Sequence, residues 1–163
     1  MAITSNSRKI TPWLWFDTLG EEAANFYVSV FKNSAITGVS RYGDGGPIPA
    51  GTAMTVSFEL DGTPFVALNG GPAHAGFTES VSFLVDCEDQ NEVDYFWERL
   101  GDGGEEGPCG WVKDRYGLSW QIIPSRLGEL VGGEDAEGAQ RAMGAMMQMT
   151  KIVVADLEAA YAG

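Results

Sequence analysis

The chain has 163 residues, 44% of them hydrophobic, and a formal net charge of −13. That length suits one domain with a proper core, and the hydrophobic share excludes a disordered chain. An acidic surface without a basic patch repels phosphate, which excludes nucleic acid and anionic membrane as partners. The two cysteines, Cys87 and Cys109, build neither a disulfide framework nor a Cys-rich metal site. No apolar run reaches the length of a membrane span and no signal-peptide pattern opens the chain, so the expectation is a soluble cytoplasmic protein.

Ile10 to Phe16 reads as a buried strand with Pro12 near its start. From Glu21 to Phe31, Ala23, Phe26, Tyr27, Val30 and Phe31 fall at helical intervals, with Glu21 and Glu22 placed to favour the dipole. A strand over Ile36–Tyr42 and a Gly/Pro loop over Gly43–Gly51 follow. Met54 to Leu60 alternates as a half-buried strand, and Asp61-Gly62 turns it into a partner over Thr63–Leu68. After the loop Asn69–Gly76 the order repeats. Val81, Phe83 and Val85 mark a strand, and Val93, Phe96, Trp97 and Leu100 the stripe of a helix. A loop over Gly101–Pro108 leads to a hairpin over Trp111–Pro124, turning at Asp114-Arg-Tyr-Gly117. Strand, helix, then strands therefore occurs twice, the second copy shorter and with no clear middle strand. The remainder is helical: a turn at Ser125–Val131, a helix over Ala136–Met149 and another over Lys151–Tyr161. Met143, Met146, Met147 and Met149 are flexible filler for a core or a dimer face.

In the last strand Leu118, Trp120 and Ile122 alternate with Ser119, Gln121 and Ile123, which sets a long amide among apolar neighbours. The spacing Asp114, Gly117, Gln121 matches a pattern Asp-x-x-Gly-x-x-x-(Glu). It occurs here with Thr11-Pro-Trp-Leu-Trp-Phe-Asp17, Glu22-Ala-Ala-Asn-Phe-Tyr27, Ala67-Leu-Asn-Gly-Gly71 and Cys109-Gly-Trp111. On these motifs the chain resembles the PhnB-like branch of the vicinal oxygen chelate superfamily, the glyoxalase and bleomycin-resistance fold. The likeness runs from about Ile10 to the C-terminus. That branch often carries the label 3-demethylubiquinone-9 3-methyltransferase. The resemblance implies an α+β fold of two βαβββ modules, residues 8–71 and 77–124, forming a curved mixed sheet with a cleft. A helical segment 125–163 completes a single domain of 1–163, and the implied assembly is a homodimer.

In the superfamily a divalent metal sits between the modules, on positions that correspond here to Ile10 or Pro12, Val66 or Leu68, Ser80 and Gln121. An amide, a hydroxyl and hydrocarbons are poor donors for such an ion, so neither a metal nor any other cofactor is expected. The cleft then binds a small organic ligand by shape and hydrogen bonds. Trp13, Trp15, Phe58, Trp111 and Trp120 are candidate walls, with Asn69, Ser80, Ser82 and Gln121 as polar contacts and Cys109 beside them. The single histidine, His74, is a candidate base at the rim. A Gly-rich turn between strand and helix, which a nucleotide-type methyl donor asks for, is absent: Gly43-Asp-Gly-Gly46 leads to another strand. Three readings fit these residues: a metal-free ligand-binding protein, a metal-dependent glyoxalase or dioxygenase using Gln121, His74 and a water, and a sequestering protein that binds without turnover.

Overall fold

A computed structural model describes residues 9–74 and 76–163. The expected first residue of the first module, residue 8, and one residue of the loop at 69–76 lie outside them. The chain divides into two compact units, Met1–Gly76 and Phe77–Gly163.

The first unit runs β1 (Trp13–Phe16), α1 (Gly20–Val30), β2 (Ala35–Arg41), β3 (Ala53–Leu60) and β4 (Thr63–Asn69). Its sheet has the order β1-β4-β3-β2, with β1 parallel to β4 and the other neighbours antiparallel. The first strand begins later than expected, at Trp13, because Pro12 has no N–H to donate to a ladder. Its carbonyl still accepts from the Val66 amide at 3.0 Å. Asp61 and Gly62 join β3 to β4 with φ of 45° and 70°, the two-residue turn that their sequence predicts. Helix α1 buries Ala23, Ala24, Tyr27 and Val30. Tyr27 stacks on Phe58 and Phe58 on Phe65, at 6.3 and 5.5 Å between ring centroids. No side chain at the start of α1 caps it. Instead Asn69, at the end of β4, accepts from the Gly20 amide at 2.7 Å and donates to the Ala53 carbonyl at 3.0 Å.

The second unit repeats the order as β5 (Ser82–Cys87), α2 (Gln90–Gly101), β6 (Glu105–Glu106), β7 (Trp111–Lys113) and β8 (Ser119–Pro124). The strand order β5-β8-β7-β6 and the parallel β5–β8 pair match the first unit. The strand that sequence could not place is β6, two residues long within the run read as a loop. Strand β5 begins at Ser82, so Ser80 and Val81 precede it, and Val81 is 63% exposed rather than turned inward with Phe83 and Val85. Asp89 caps α2 by accepting from the Glu92 amide, and Glu92 reaches back to the Glu88 amide. Val93, Trp97 and Leu100 are buried, and α2 packs on β7 and β8.

Three helices follow: α3 (Ser125–Val131), α4 (Ala136–Met146) and α5 (Val154–Ala162). Leu127, Leu130, Ala142, Ile152 and Leu157 form their core, against which Met146 and Met149 pack. Helix α4 stops at Met146, three residues short of expectation, because residues 147–149 turn more tightly, with Gln148 bonding to Ala145 and Met149 to Met146. Helix α5 starts at Val154 rather than Lys151. The intervening residues are held by Gln90, which donates to the Ile152 carbonyl and accepts from the Val154 amide, and by the Lys151–Asp94 ion pair at 2.6 Å. The helical segment therefore packs on its own second unit.

The tightest polar knot lies in the β7–β8 turn. Asp114 is 2% exposed, and its carboxylate accepts from the Tyr116 amide at 2.8 Å, the Leu118 amide at 3.1 Å and the Trp120 indole N–H at 2.8 Å. Asp114→Ala strands these donors and is expected to lower unfolding free energy by about 3 kcal/mol, measured by urea denaturation.

Candidate functional site

Alternation along β7 and β8 divides their side chains between two faces. Val112, Trp120 and Ile122 are buried on the side of α2. Trp111, Lys113, Ser119 and Gln121 share the opposite face, where Trp111 stands beside Gln121, Lys113 beside Ser119, and Ser119 beside Ser82 of β5. A cavity of about 430 Å³ lies against this face, with Trp111, Cys109, Pro108 and Ser119 among its walls. Glu79, Glu105, Glu106 and Lys113 also line it.

Ser119 is 2% exposed, and among the described residues its hydroxyl is the one buried side-chain polar atom without a hydrogen-bond partner. An unpartnered buried hydroxyl costs free energy, and one set in a cavity wall is a group that an incoming molecule can satisfy. Lys113 places its ammonium 2.6 Å from Glu79 and 3.7 Å from Glu105. The hydrogen bond between Lys113 and Glu79 holds the lysine above its ordinary pKa and the carboxyl below its own. Cys109 is held at φ 57°, with its amide on the Met149 carbonyl and the next amide, of Gly110, on that of Thr150, both at 2.8 Å.

Of the residues that sequence singles out, Cys109 and Trp111 line the cavity. Ser82 and Gln121 stand on the same sheet face and bind each other, the amide donating to the hydroxyl at 2.8 Å. Ser80 is in an exposed turn ahead of β5. Trp120 is on the other face, packed against Phe83 and bonded to Asp114, so it is core and not cavity wall. In the first unit, Phe58 is likewise core beneath α1, and Asn69 is the remote cap of that helix rather than a ligand contact. Trp13 and Trp15 lie on the first sheet's face away from α1. Trp13 is 51% exposed. The Trp15 indole donates to the Gly71 carbonyl at 3.0 Å, its ring fills the place a Cβ at Gly70 would need, and His74 packs edge-on against it at 4.5 Å. Both tryptophan and histidine thus hold the 69–74 loop. Sequence reasoning missed Ser119, Glu79, Glu105 and Glu106. Only the register that sets Ser119 between Ser82 and Lys113 could have drawn attention to the serine.

The face does not fit a divalent ion. Of the two positions in this unit that correspond to metal ligands, Ser80 stands in an exposed turn and Gln121 spends its amide N–H on the Ser82 hydroxyl. Among the described residues no group of three His, Cys, Asp or Glu side chains is close enough to hold a metal.

The two thiols differ sharply. Cys87 is fully buried, and burial, reinforced by the charges of Glu92, Asp86 and Asp89, pushes its thiol up to about 12. Cys109 is partly exposed at the cavity. A disulfide reagent at pH 8 is expected to label one thiol of the native protein, Cys109, and two after unfolding, counted by mass spectrometry.

Comparison with known proteins agrees with this architecture. The family described as 3-demethylubiquinone-9 3-methyltransferase matches residues 8–123. The solved PhnB protein from Bacillus cereus is 35% identical, covers 72% of this chain and all of its own, and superposes with a TM-score of 0.66. Protein PA1353 from Pseudomonas aeruginosa shares the fold at 21% identity, covering 69% of this chain and 94% of its own, with a TM-score of 0.58. Among curated proteins no match is found. With two four-stranded mixed sheets of one topology and a family match over most of its length, the chain belongs to the 3-demethylubiquinone-9 3-methyltransferase family, in its PhnB-like branch.

Proposed function

We propose that this chain is a metal-free, small-molecule-binding member of its family, and that the ligand enters the cavity on the open face of the second sheet. The observation that carries this is the buried Ser119 hydroxyl, unpartnered in the wall of a cavity of about 430 Å³. That volume falls within the range of small-molecule pockets. Trp111 supplies a flat apolar surface, Pro108 and Cys109 extend it, and Ser119 is the polar contact that orients the ligand.

The family description names a methyl transfer, and the folds of the two units lend that activity no support. The Gly-rich run Gly43–Gly51 joins antiparallel β2 to β3, whereas phosphate of a nucleotide-type donor is held where a glycine turn opens a helix. Metal-dependent chemistry would need donors in the place of the Gln121–Ser82 pair. Binding, with or without a chemical step, is what the residues support. The assembly we infer is a homodimer, a reading supported by Leu84 of edge strand β5, 58% exposed, and by the exposed Met143 and Met147. No helix among the described residues is long and apolar enough to cross a membrane.

Saturation-transfer NMR with a set of small aromatic fragments tests the binding site. Fragments are expected to take up saturation from the protein, and Trp111→Ala to weaken them about tenfold while Trp13→Ala leaves them unchanged. Absence of binding, or equal binding to Trp111→Ala, overturns the assignment. Sedimentation equilibrium is expected to return twice the chain mass.

A further inference from the structure

The charge around the cavity is lopsided. Glu79, Glu105 and Glu106 line it together with a single cation, Lys113. Glu106 accepts from the Trp97 indole N–H at 2.9 Å, which steers that carboxylate without neutralising it. Glu79 and Glu105 both lie within 4 Å of the Lys113 ammonium, so two carboxylates already converge on one ammonium-sized position. Three negative charges against one positive leave the lining at a net charge of −2, in a chain whose own net charge is −13. A bound anion is repelled by both, and a bound cation is attracted.

Acidic residues alone would be a solvated surface. Here an independent observation points to a ligand: the Ser119 hydroxyl, 2% exposed and unpartnered, stands in the same wall, next to Lys113 across β7 and β8. A hydroxyl oxygen accepts from an ammonium N–H as readily as it donates. The indole of Trp111 in the wall adds a π-face, which favours a cationic centre over a neutral one. The remaining walls, from Pro108 and Cys109, are apolar and suit a hydrocarbon body.

We propose that the cavity selects small hydrophobic amines in their ammonium form, the apolar body lying on Trp111 and the ammonium held by Glu79, Glu105 and the Ser119 hydroxyl. This rests on the cavity being the ligand site and adds the charge of what it takes. Lys113 is then the resident competitor for the two carboxylates. Ligand binding displaces its ammonium from Glu79, so the lysine limits affinity for amines instead of supplying it.

Three probes with one phenyl body separate the possibilities by calorimetry at pH 7: 2-phenylethylammonium, 2-phenylethanol and phenylacetate. The ammonium is expected to bind about tenfold more tightly than the alcohol, and phenylacetate more weakly than either. Raising salt from 0.05 to about 0.5 M is expected to erode the ammonium's advantage and leave the alcohol unchanged. Lys113→Met, which keeps the apolar stem and removes the charge, is expected to tighten the ammonium severalfold. Glu79→Gln is expected to weaken it severalfold, again without effect on the alcohol. Equal binding of ammonium and alcohol, or loss of ammonium binding in Lys113→Met, overturns the charge assignment while the cavity stands as a binding site. Failure of all three probes overturns both.

Discussion

The second unit depends on a carboxylate that never reaches water. Asp114 turns its oxygens toward the amides of residues 116 and 118 and the indole of Trp120. A buried carboxylate so satisfied closes the turn, fixes which residue of β8 begins the ladder, and ties the largest core side chain of that strand to the loop. Register follows from it. Because side chains alternate with period two, a slip of one residue would carry Trp120 to the open face and Ser119 into the core. The cavity wall of Trp111, Lys113 and Ser119 exists because Asp114 holds Trp120 on the other side.

The two units share a topology and reach it by different local means. In the second, α2 is capped by its own Asp89, as a helix start usually is. In the first, α1 opens at Leu19-Gly20 with no capping side chain, and the amide of Asn69, 49 residues away, does the work from the end of β4. A Cβ at Gly20 would sit 2.7 Å from the Asn69 oxygen, so the close approach of helix and strand requires glycine there. The units differ again at their second strand. Where the first has the seven residues of β2 at the sheet edge, the second has the two of β6, and Gly107, Pro108 and Cys109 follow as loop. That shortened edge is what leaves room for the cavity wall.

Periodicity made most of this fold legible. Strands and helices were readable wherever burial alternates or recurs every three to four residues, and Asp61-Gly62 announced its turn outright. Boundaries failed where long-range bonds decide them, as at Lys151–Val153, which Gln90 and Asp94 pull out of helix. The site was less legible than the fold. Aromatic residues look alike in sequence, and only the sheet face separates Trp111 at the cavity from Trp120 in the core. Asn69 read as a polar contact for a ligand because nothing local showed the bare helix end it serves. Glu79 and Lys113 are 34 residues apart, and Glu79 sits in a turn between periodic segments, so no pattern could join them.

The same ion pair bears on what the cavity can do. A general acid or base works best when its pKa lies near the operating pH. Lys113 and Glu79 stabilise each other's charged forms, raising one and lowering the other, and so each moves away from neutrality. Groups perturbed in that sense hold charge firmly; they do not exchange protons at pH 7. The third carboxylate with a defined partner, Glu106, accepts from the indole N–H of Trp97, a core residue of α2. In the binding role proposed above, fixed charges, a flat indole and one unpartnered hydroxyl would discriminate among ligands by polarity and shape.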